Sequence, residues 1–321
     1  MLKVSDILNA DEVRRLRRKS DLAGAALVLH AWVLILGAMA VFALWPNPAT
    51  FLAAVMVIGG RQLGIAILMH DAAHGLLFQH RQLNDLVGQW LCAYPVATDL
   101  ELYRPYHLKH HRCTQQPEDP DLGLSAPFPI TRASLRRKIL RDLIGKTGYQ
   151  RRKLQVLAAW GPPGLNGSER LARLRRAFGG ALSMNLLLLA GLAAAGYWWL
   201  YPALWLLPMF TWYQLISRIR NIAEHAVVPD NDDPLRNTRT TLADPLTRLV
   251  LAPYWVNYHL EHHLLLFVPC WRLPAAHRLL IAKGFGPRME LRRNYIEVLR
   301  LAAAAVSGGP QDRRDRNVQH I

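Results

Sequence analysis

The stretch that decides the fold is FLAAVMVIGGRQLGIAILMHDAAH, residues 51–74. An apolar run over about 49–69, interrupted at Arg61-Gln62, leads directly into the motif His70-Asp-Ala-Ala-His74. A bilayer core of about 30 Å needs roughly 20 apolar residues of helix, so the run predicts a transmembrane helix. A helix that continued through the motif would place both histidines on one face, one turn apart. A membrane span and a pair of candidate metal ligands are therefore joined in one segment.

Three further apolar runs cover about 22–45, 179–199 and 201–217. The turn Pro46-Asn47-Pro48 joins the first two runs, and the aromatic segment 198–202 joins the last two. We therefore expect an all-α integral membrane protein whose four transmembrane helices form two hairpins, with a cytoplasmic helical cap that holds a dimetal site.

The uneven distribution of charge predicts the orientation. Lysine and arginine outnumber acidic residues by 39 to 23, which gives a formal charge of +16. An even spread would indicate a nucleic-acid binder, but Arg-rich segments alternate here with uncharged runs, which argues against that class. The connections 46–49 and 200–202 carry no Lys or Arg, whereas the segment 130–176 carries thirteen. Because cytoplasmic loops carry the basic excess, we predict that both termini and the metal site are cytoplasmic, in a bacterial inner membrane.

The rest of the chain fits one membrane domain. We predict that residues 1–306 form it and that the polar, Gly/Arg-rich segment 307–321 is a disordered tail. Basic and polar residues precede the first apolar run, so we expect no cleavable signal peptide. Arg61, which is costly inside a span, is expected either to face the bundle interior or to snorkel to the membrane surface. The three cysteines are isolated, which fits a reducing cytosolic face rather than a disulfide framework: Cys92, Cys113 and Cys270.

Nine of the thirteen histidines fall into four tight groups. In chain order the groups are His70/His74, His107-Leu-Lys-His110-His111, His225, and His259-Leu-Glu-His262-His263. Residues three or four apart on a helix share one face, so each group directs its imidazoles to one place. The first and third groups follow apolar runs, and the other two lie on the same predicted side. All four groups are therefore expected to converge just below the bilayer.

So many imidazoles exceed the needs of one metal ion. Neutral imidazole is the commonest metal ligand in proteins, and a structural zinc site is complete with four ligands. Nine histidines therefore predict two metal ions. Nitrogen-only ligation favours iron, copper, zinc or nickel over magnesium and calcium, and the residues alone leave these four open.

The histidine motifs HDAAH, HLKHH and HLEHH, in this order around two transmembrane hairpins, resemble those of the membrane fatty acid desaturase family. The resemblance to these histidine-box diiron enzymes covers about 50–275. It implies two iron ions, with Asn221, four residues before His225, holding a water next to one of them. HDAAH is one residue tighter than the HxxxxH of animal acyl-CoA desaturases, which leaves substrate and regiochemistry open. The iron ligands that the resemblance implies are His70, His74, His107, His110, His111, His225, His259, His262 and His263.

The resemblance also implies an activity. Family members use dioxygen as co-substrate to remove hydrogens from a lipid acyl chain, and the metal is needed because such C–H bonds are too strong for acid–base catalysis. The chain has no His-Pro-Gly-Gly stretch typical of cytochrome b5 and no Gly-rich nucleotide-binding motif. We therefore expect an external electron donor, such as a small acidic ferredoxin that docks on the basic cytoplasmic face.

Several polar residues near the motifs are secondary candidates. Asp71, Glu224 and Glu261 lie inside the histidine groups and are candidates to orient a ring N–H, although a charged residue in a cytoplasmic helix more often faces water. The segment Pro117–Asp121 is expected either to turn the chain back under the bundle or to pair with the basic loop. Four histidines belong to no group and are predicted not to bind metal: His30, His80, His277 and His320.

Three other functions share parts of this sequence pattern with acyl-chain desaturation. The same scaffold would suit a hydroxylase or ketolase acting on a carotenoid, a sterol or another lipid, which histidine motifs do not distinguish from a desaturase. An intramembrane zinc hydrolase would need the general-base Glu of HExxH, which HDAAH lacks. A metal transporter would place its ligands near the bilayer midplane rather than at helix ends.

The predicted orientation can be tested with reporter fusions. Because basic residues flank only the inner ends of the four runs, a fluorescent protein fused after Ile321 should fold and alkaline phosphatase at the same place should be inactive. The same two reporters fused after Asn47, in the first outer connection, serve as the opposite-side control. Phosphatase activity after Ile321 would contradict the orientation and the shared side of the histidine groups.

Overall fold

The computed structural model describes residues 3–304, so the predicted tail 307–321 lies outside the described residues. The described chain is mostly helical. Its α-helices are α1 Val4–Ile7, α2 Ala10–Arg17, α3 Asp21–Leu44, α4 Pro48–Ala73, α5 Arg81–Val87, α6 Leu100–Arg112, α7 Leu122–Ser125, α8 Arg132–Leu143, α9 Lys146–Trp160, α10 Gly167–Ala194, α11 Leu207–Phe210, α12 Trp212–His225, α13 Pro245–Val250, α14 His259–Leu264, α15 Leu273–Ala282 and α16 Tyr295–Ala302.

Shorter elements connect the helices. Two strands, β1 Thr240–Thr241 and β2 Leu291–Arg292, pair in parallel. Two π-helical turns cover Gly88–Ala93 and Tyr201–Leu206. The 3-10 turns are Tyr94–Val96, Pro253–Trp255, Cys270–Arg272 and Gly286–Arg288.

Within residues 3–304, three helices are long and apolar enough to cross a membrane: α3, α4 and α10. The bounds of α3 lie within one residue of the predicted run 22–45, whereas α10 begins at Gly167 rather than at about 179. Both helices expose large apolar side chains, with Leu29 64% and Leu187 63% exposed. Such surfaces are stable only in an apolar solvent, which identifies a membrane protein.

The fourth predicted span, 201–217, is not one continuous helix. It consists of a π-helical turn, the short α11, a break at Thr211 and the first part of α12. Pro202 and Pro208 lack the N–H that a continuous α-helix requires, and Thr211 has non-helical dihedral angles (φ −117°, ψ −88°). Hydropathy does not register such a break, because it scores side chains and not backbone hydrogen bonds. The arrangement of four spans in two hairpins therefore stays a prediction.

Helix α4 is the central element of the fold, and almost all of it from Ile58 to Ala73 is buried. Gly60 allows α13 to pack directly on α4, since a Cβ there would lie 2.6 Å from the Leu249 carbonyl oxygen. Of the two positions expected for Arg61, the structure shows the interior one, and its guanidinium donates to the carbonyls of Arg248 (2.9 Å) and Leu249 (2.7 Å). Because α4 continues past residue 69 without a break, its buried part carries the first histidine motif.

Helix α12 is the last helix of the broken fourth apolar run. It packs on α4, α8 and α16. Arg218 forms a two-point ion pair with the buried Asp142 of α8, with N–O distances of 2.5 and 2.8 Å. Such a paired contact fixes the relative position of two helices more strictly than a single bond does. The end of α12 is thereby held at a defined place beside α4.

Gly24 on α3 faces the turn that follows the first histidine motif. A Cβ at this position would overlap the carbonyl oxygen of Leu77, which is backbone and does not move aside easily. Gly37, on the same helix, has open space around its Cβ position. We therefore expect Gly24→Ala to lower stability by about 1–3 kcal/mol, the usual cost of overpacking, and Gly37→Ala to leave it unchanged or slightly higher. Tryptophan fluorescence during heating in one detergent would measure both; equal unfolding midpoints would contradict this packing.

Candidate metal centre

The structure brings all nine grouped histidines together. His70 lies on α4 and His74 is its C-terminal cap, three histidines lie on α6, His225 ends α12, and three lie on α14. Within each of two clusters, one ligand atom from every residue lies within 4.8 Å of all the others. The five-histidine cluster contains His70, His74, His107, His111 and His262, and the four-histidine cluster contains His110, His225, His259 and His263.

The Nε2 atoms of the clusters lie at the spacing of ligands around a metal. In the five-histidine cluster, Nε2 of His107 is 2.9 Å from Nε2 of both His74 and His111. In the four-histidine cluster, Nε2 of His225 and His259 are also 2.9 Å apart. Two adjacent ligands, each about 2.1 Å from one metal ion, would be about 3 Å apart. Both clusters therefore match the geometry of a metal site.

Unpartnered nitrogens support the same conclusion. Both ring nitrogens of His70 and the Nε2 of His263 are buried without a hydrogen-bond partner in residues 3–304. A buried polar atom that lacks a partner is costly, and a metal ion would remove that cost. Burial, reinforced by the neighbouring histidines, holds the pKa of His107 well below its usual range and lowers the pKa of His111 to about 2. The rings of His107 and His111 are therefore neutral and keep the lone pair that binds a metal.

Arg104 fixes α6 against the end of α4. Its guanidinium donates to the carbonyls of Ala73 (3.0 Å) and Ala72 (3.2 Å), which have no partner inside the helix, and pairs with Asp85. A cation at a helix C-terminus is favourable because it meets the negative end of the helix dipole. Since His107 follows Arg104 by three residues, this contact also places His107 beside the first motif.

The segment after α6 holds three histidines from three different elements. The Asp119 carboxylate accepts from Nδ1 of His110 at 2.8 Å, and the Thr114 hydroxyl lies 3.2 Å from Nδ1 of His263. Gln115 donates to the His225 carbonyl at 2.6 Å. Each ring contact leaves Nε2 free to face the cluster, which is how outer partners orient a metal-binding histidine. The sequence left the role of 117–121 open and did not predict that Asp119 orients a histidine ring.

Arg239 holds the end of α12 and was also missed. It is fully buried and donates to the carbonyls of Ala223, Ala226 and Val227 at 2.8–3.2 Å. Its Nε atom pairs with Glu290 at 3.0 Å. Because His225 lies between these carbonyls, Arg239 fixes the backbone that carries it. One basic residue in a long polar segment gives no sequence signal of such a role.

The carboxylates proposed as ring partners have other contacts. Asp71 accepts from the Cys270 amide at 2.8 Å and lies 3.7 Å from Nδ1 of His70. Glu261 accepts from Nδ1 of His277 at 2.5 Å and from the Thr240 hydroxyl.

Glu224 pairs with Arg220 on the same helix. Asn221 lies one turn before His225 on α12, is half-buried, and has no side-chain hydrogen bond to the described residues.

The remaining described histidines lie outside the two clusters. His30 contacts the Tyr254 hydroxyl at 3.0 Å, His80 is exposed beside Asp21, and His277 pairs with Glu261. His320 lies outside the described residues.

The family model described as "Fatty acid desaturase" matches residues 46–294, well over half of the chain. The chain belongs to the fatty acid desaturase family. This fatty acid desaturase family member is therefore an oxidoreductase, in agreement with the sequence-based prediction and unlike the zinc hydrolase and metal transporter alternatives.

Curated relatives of this family member include a desaturase and ketolases. Dihydrorhizobitoxine desaturase of Bradyrhizobium elkanii is 29% identical over 70% of this chain and 66% of the relative. Zeaxanthin 4-ketolase of Chlamydomonas reinhardtii is 24% identical over 84% of this chain and 56% of the relative. Beta-carotene ketolase of Paracoccus sp. (strain PC1) is 27% identical over 79% of this chain and 90% of the relative. The chain spans less than two thirds of the first two relatives.

The contact between Asp119 and His110 predicts a selective effect on metal binding. Burial alone would raise the pKa of Asp119, but hydrogen bonds from His110 and from two backbone amides outweigh it and hold the pKa below its usual range. Removing an outer partner of this kind typically lowers metal affinity about 10–100-fold. We expect this loss of metal affinity from Asp119→Ala. Glu118→Ala should cause no loss, because the carboxylate of Glu118 is exposed to solvent. Competition with a chelator would measure both affinities, and equal values would contradict the role of Asp119.

Proposed function

We propose that this family member desaturates a lipid acyl chain with dioxygen at a centre of two iron ions. The observation that carries the proposal is the convergence of nine imidazoles into two clusters at the end of the buried helix α4. Each cluster offers four or five nitrogen donors, which suits iron and far exceeds what one tetrahedral zinc needs. The proposed ligands are the nine clustered histidines, with Asn221 as the candidate to hold a metal-bound water.

The residues around the clusters hold the imidazole rings in place and exclude water from them. When bound, iron would supply the redox chemistry that activates dioxygen against an unactivated C–H bond. Six of the nine rings are at least 94% buried, so bulk water has little access to the ligand nitrogens. Contacts such as Asp119–His110 and Thr114–His263 fix ring orientation. Small displacements of reacting groups can cost about 100-fold in rate, so this fixed geometry contributes directly to turnover.

The reaction balances only with an external reductant. Removing two hydrogens from adjacent methylenes gives a double bond, and two electrons from a donor with two protons from solvent complete the reduction of dioxygen to two waters. Lys109 and Arg112 are exposed on α6, the helix that carries three clustered histidines. A small acidic ferredoxin fits this basic surface by charge. We therefore propose such a donor as partner, approaching from the cytoplasmic side of a bacterial inner membrane.

A ketolase is the second candidate, because ketolases are among the relatives that the chain covers most completely. The match extends over 90% of the Paracoccus sp. (strain PC1) beta-carotene ketolase, against 66% of the desaturase. A carotenoid is as apolar as an acyl chain and would reach the same site from the membrane. Four spans with both termini inside remain part of either proposal.

Product analysis would separate the two functions. We expect cells that express the protein with a compatible ferredoxin system to contain lipids that have lost two hydrogens, and His225→Ala to abolish the product because it removes a proposed ligand. His80→Ala is the matched control, since its exposed ring lies outside both clusters, and should keep full activity. Mass spectrometry of fatty acids, in hosts with and without β-carotene, would detect the product. A carotenoid that gains oxygen, with unchanged fatty acids, would replace desaturation by the ketolase function.

A further inference from the structure

Glu224 directly precedes His225 at the end of α12, and its two carboxylate oxygens have different surroundings. Oε1 accepts from Nε of Arg220 at 2.6 Å. Oε2 is buried and has no hydrogen-bond partner among residues 3–304. It lies 3.6 Å from Nε2 of His259. A buried carboxylate oxygen that faces a cluster of ligand nitrogens is an unexplained feature of the site.

The position of Oε2 shows which side of the ring Glu224 faces. Nε2 of His259 is also the atom that lies 2.9 Å from Nε2 of His225, so it is the nitrogen that points into the four-histidine cluster. A carboxylate that merely orients a ring contacts the opposite nitrogen, as Asp119 does at Nδ1 of His110. Glu224 therefore lies on the metal side of the ring and not behind it.

The distance agrees with shared coordination. Ligand atoms about 2.1 Å from one metal are about 3 Å apart when adjacent and about 4 Å apart when opposite. The separation of 3.6 Å between Oε2 and Nε2 of His259 lies within that range. Glu224 is not among the residues whose ligand atoms all lie within 4.8 Å of one another, so its carboxylate would turn further into the four-histidine cluster to bind the metal. Asn221, three residues earlier on α12, is half-buried and has no side-chain hydrogen bond to the described residues.

The hydrogen bonding of the carboxylate supports the same assignment. Arg220 donates to only one of the two oxygens, so Oε2 is buried without a hydrogen-bond donor among residues 3–304. A buried carboxylate oxygen needs a donor or a cation beside it, and a divalent metal in the four-histidine cluster would supply that partner.

We propose that Glu224 is the oxygen ligand of the metal in the four-histidine cluster. This cluster then has five protein ligands, four imidazoles and one carboxylate, and equals the five-histidine cluster in ligand number but not in charge. The inference rests on the proposed dimetal site. It assigns Glu224 to the metal itself, which is a different role from orienting a ring.

Metal binding to the purified protein tests the assignment apart from activity. Metal-free protein in detergent would be titrated with Fe²⁺ without oxygen, and with Co²⁺ to follow the absorption bands that report ligand number. We expect two ions for the wild type. Glu224→Gln should keep one ion at wild-type affinity and lose at least about 10-fold in affinity for the other, since even outer partners cost about 10–100-fold, with altered Co²⁺ bands.

Glu261→Gln is the matched control. Glu261 is fully buried and also directly precedes a clustered histidine, but its oxygens face His277 and Thr240. This variant should bind two ions with wild-type Co²⁺ bands. Asn221→Ala should also keep both ions. If Glu224→Gln cannot be recovered folded, Glu224→Asp keeps the charge and draws the oxygen back by one methylene, and should weaken the same single ion.

The outcomes distinguish a failure of the dimetal function from a failure of the Glu224 assignment. A wild-type protein that binds fewer than two ions would overturn the dimetal function and the Glu224 assignment together. Two ions in the wild type, with unchanged affinity and Co²⁺ bands in Glu224→Gln, would overturn the Glu224 assignment alone. If the role of Glu224 were only structural, Glu224→Gln would lower the unfolding midpoint of the metal-free protein and leave both affinities intact, which also contradicts the assignment.

Discussion

Nine imidazoles packed with their nitrogens about 3 Å apart are the constraint on which the rest of the structure depends. Burial removes the water that would otherwise satisfy these nitrogens, as the unpartnered nitrogens of His70 and His263 show. The two metal ions proposed here would bind these lone pairs and remove that cost. Metal binding would then be thermodynamically linked to the final packing of the helices that carry the histidines.

The rest of the fold holds helix ends at this place. Helices α4 and α12 both end at the clusters, so each brings carbonyls that need partners from outside the helix into the interior. Arg104 binds the carbonyls at the end of α4, and Arg239 binds those at the end of α12. Each arginine reaches its helix from a different part of the chain. The same contacts satisfy the backbone and fix the histidines, which explains why basic residues are buried so near a proposed cationic centre.

The sequence predicted those features that depend on side-chain pattern. Apolar length predicted α3 to within one residue, and the spacing of the histidines predicted their convergence. The break at Thr211 was missed because proline removes backbone donors without changing hydropathy. The start of α10 at Gly167 was missed because its first turns are basic and amphipathic rather than apolar.

Partners that are distant in the sequence were missed for a different reason. Asp119 and Arg239 act on atoms of His110 and of the α12 backbone that only the folded chain brings close. Their residue types are ordinary for polar segments, and a single acidic or basic residue carries no spacing. For Glu224 the sequence showed the residue but not its role. Its place beside His225 is visible in the chain, but the side of the metal site that it faces depends on the position of α14.

The charge of Glu224 makes the two clusters unequal. Five imidazoles leave the charge of a divalent ion unchanged, whereas four imidazoles and one carboxylate reduce it by one unit. An anionic oxygen ligand stabilises a higher oxidation state relative to a neutral nitrogen ligand, so the ion of the four-histidine cluster would be the easier one to oxidise. Desaturation and ketone formation begin with the same removal of hydrogen from carbon. Desaturation then removes a second hydrogen from the neighbouring carbon, whereas ketone formation adds oxygen at the first. The nine histidines are common to both proposals, so they do not distinguish the two outcomes.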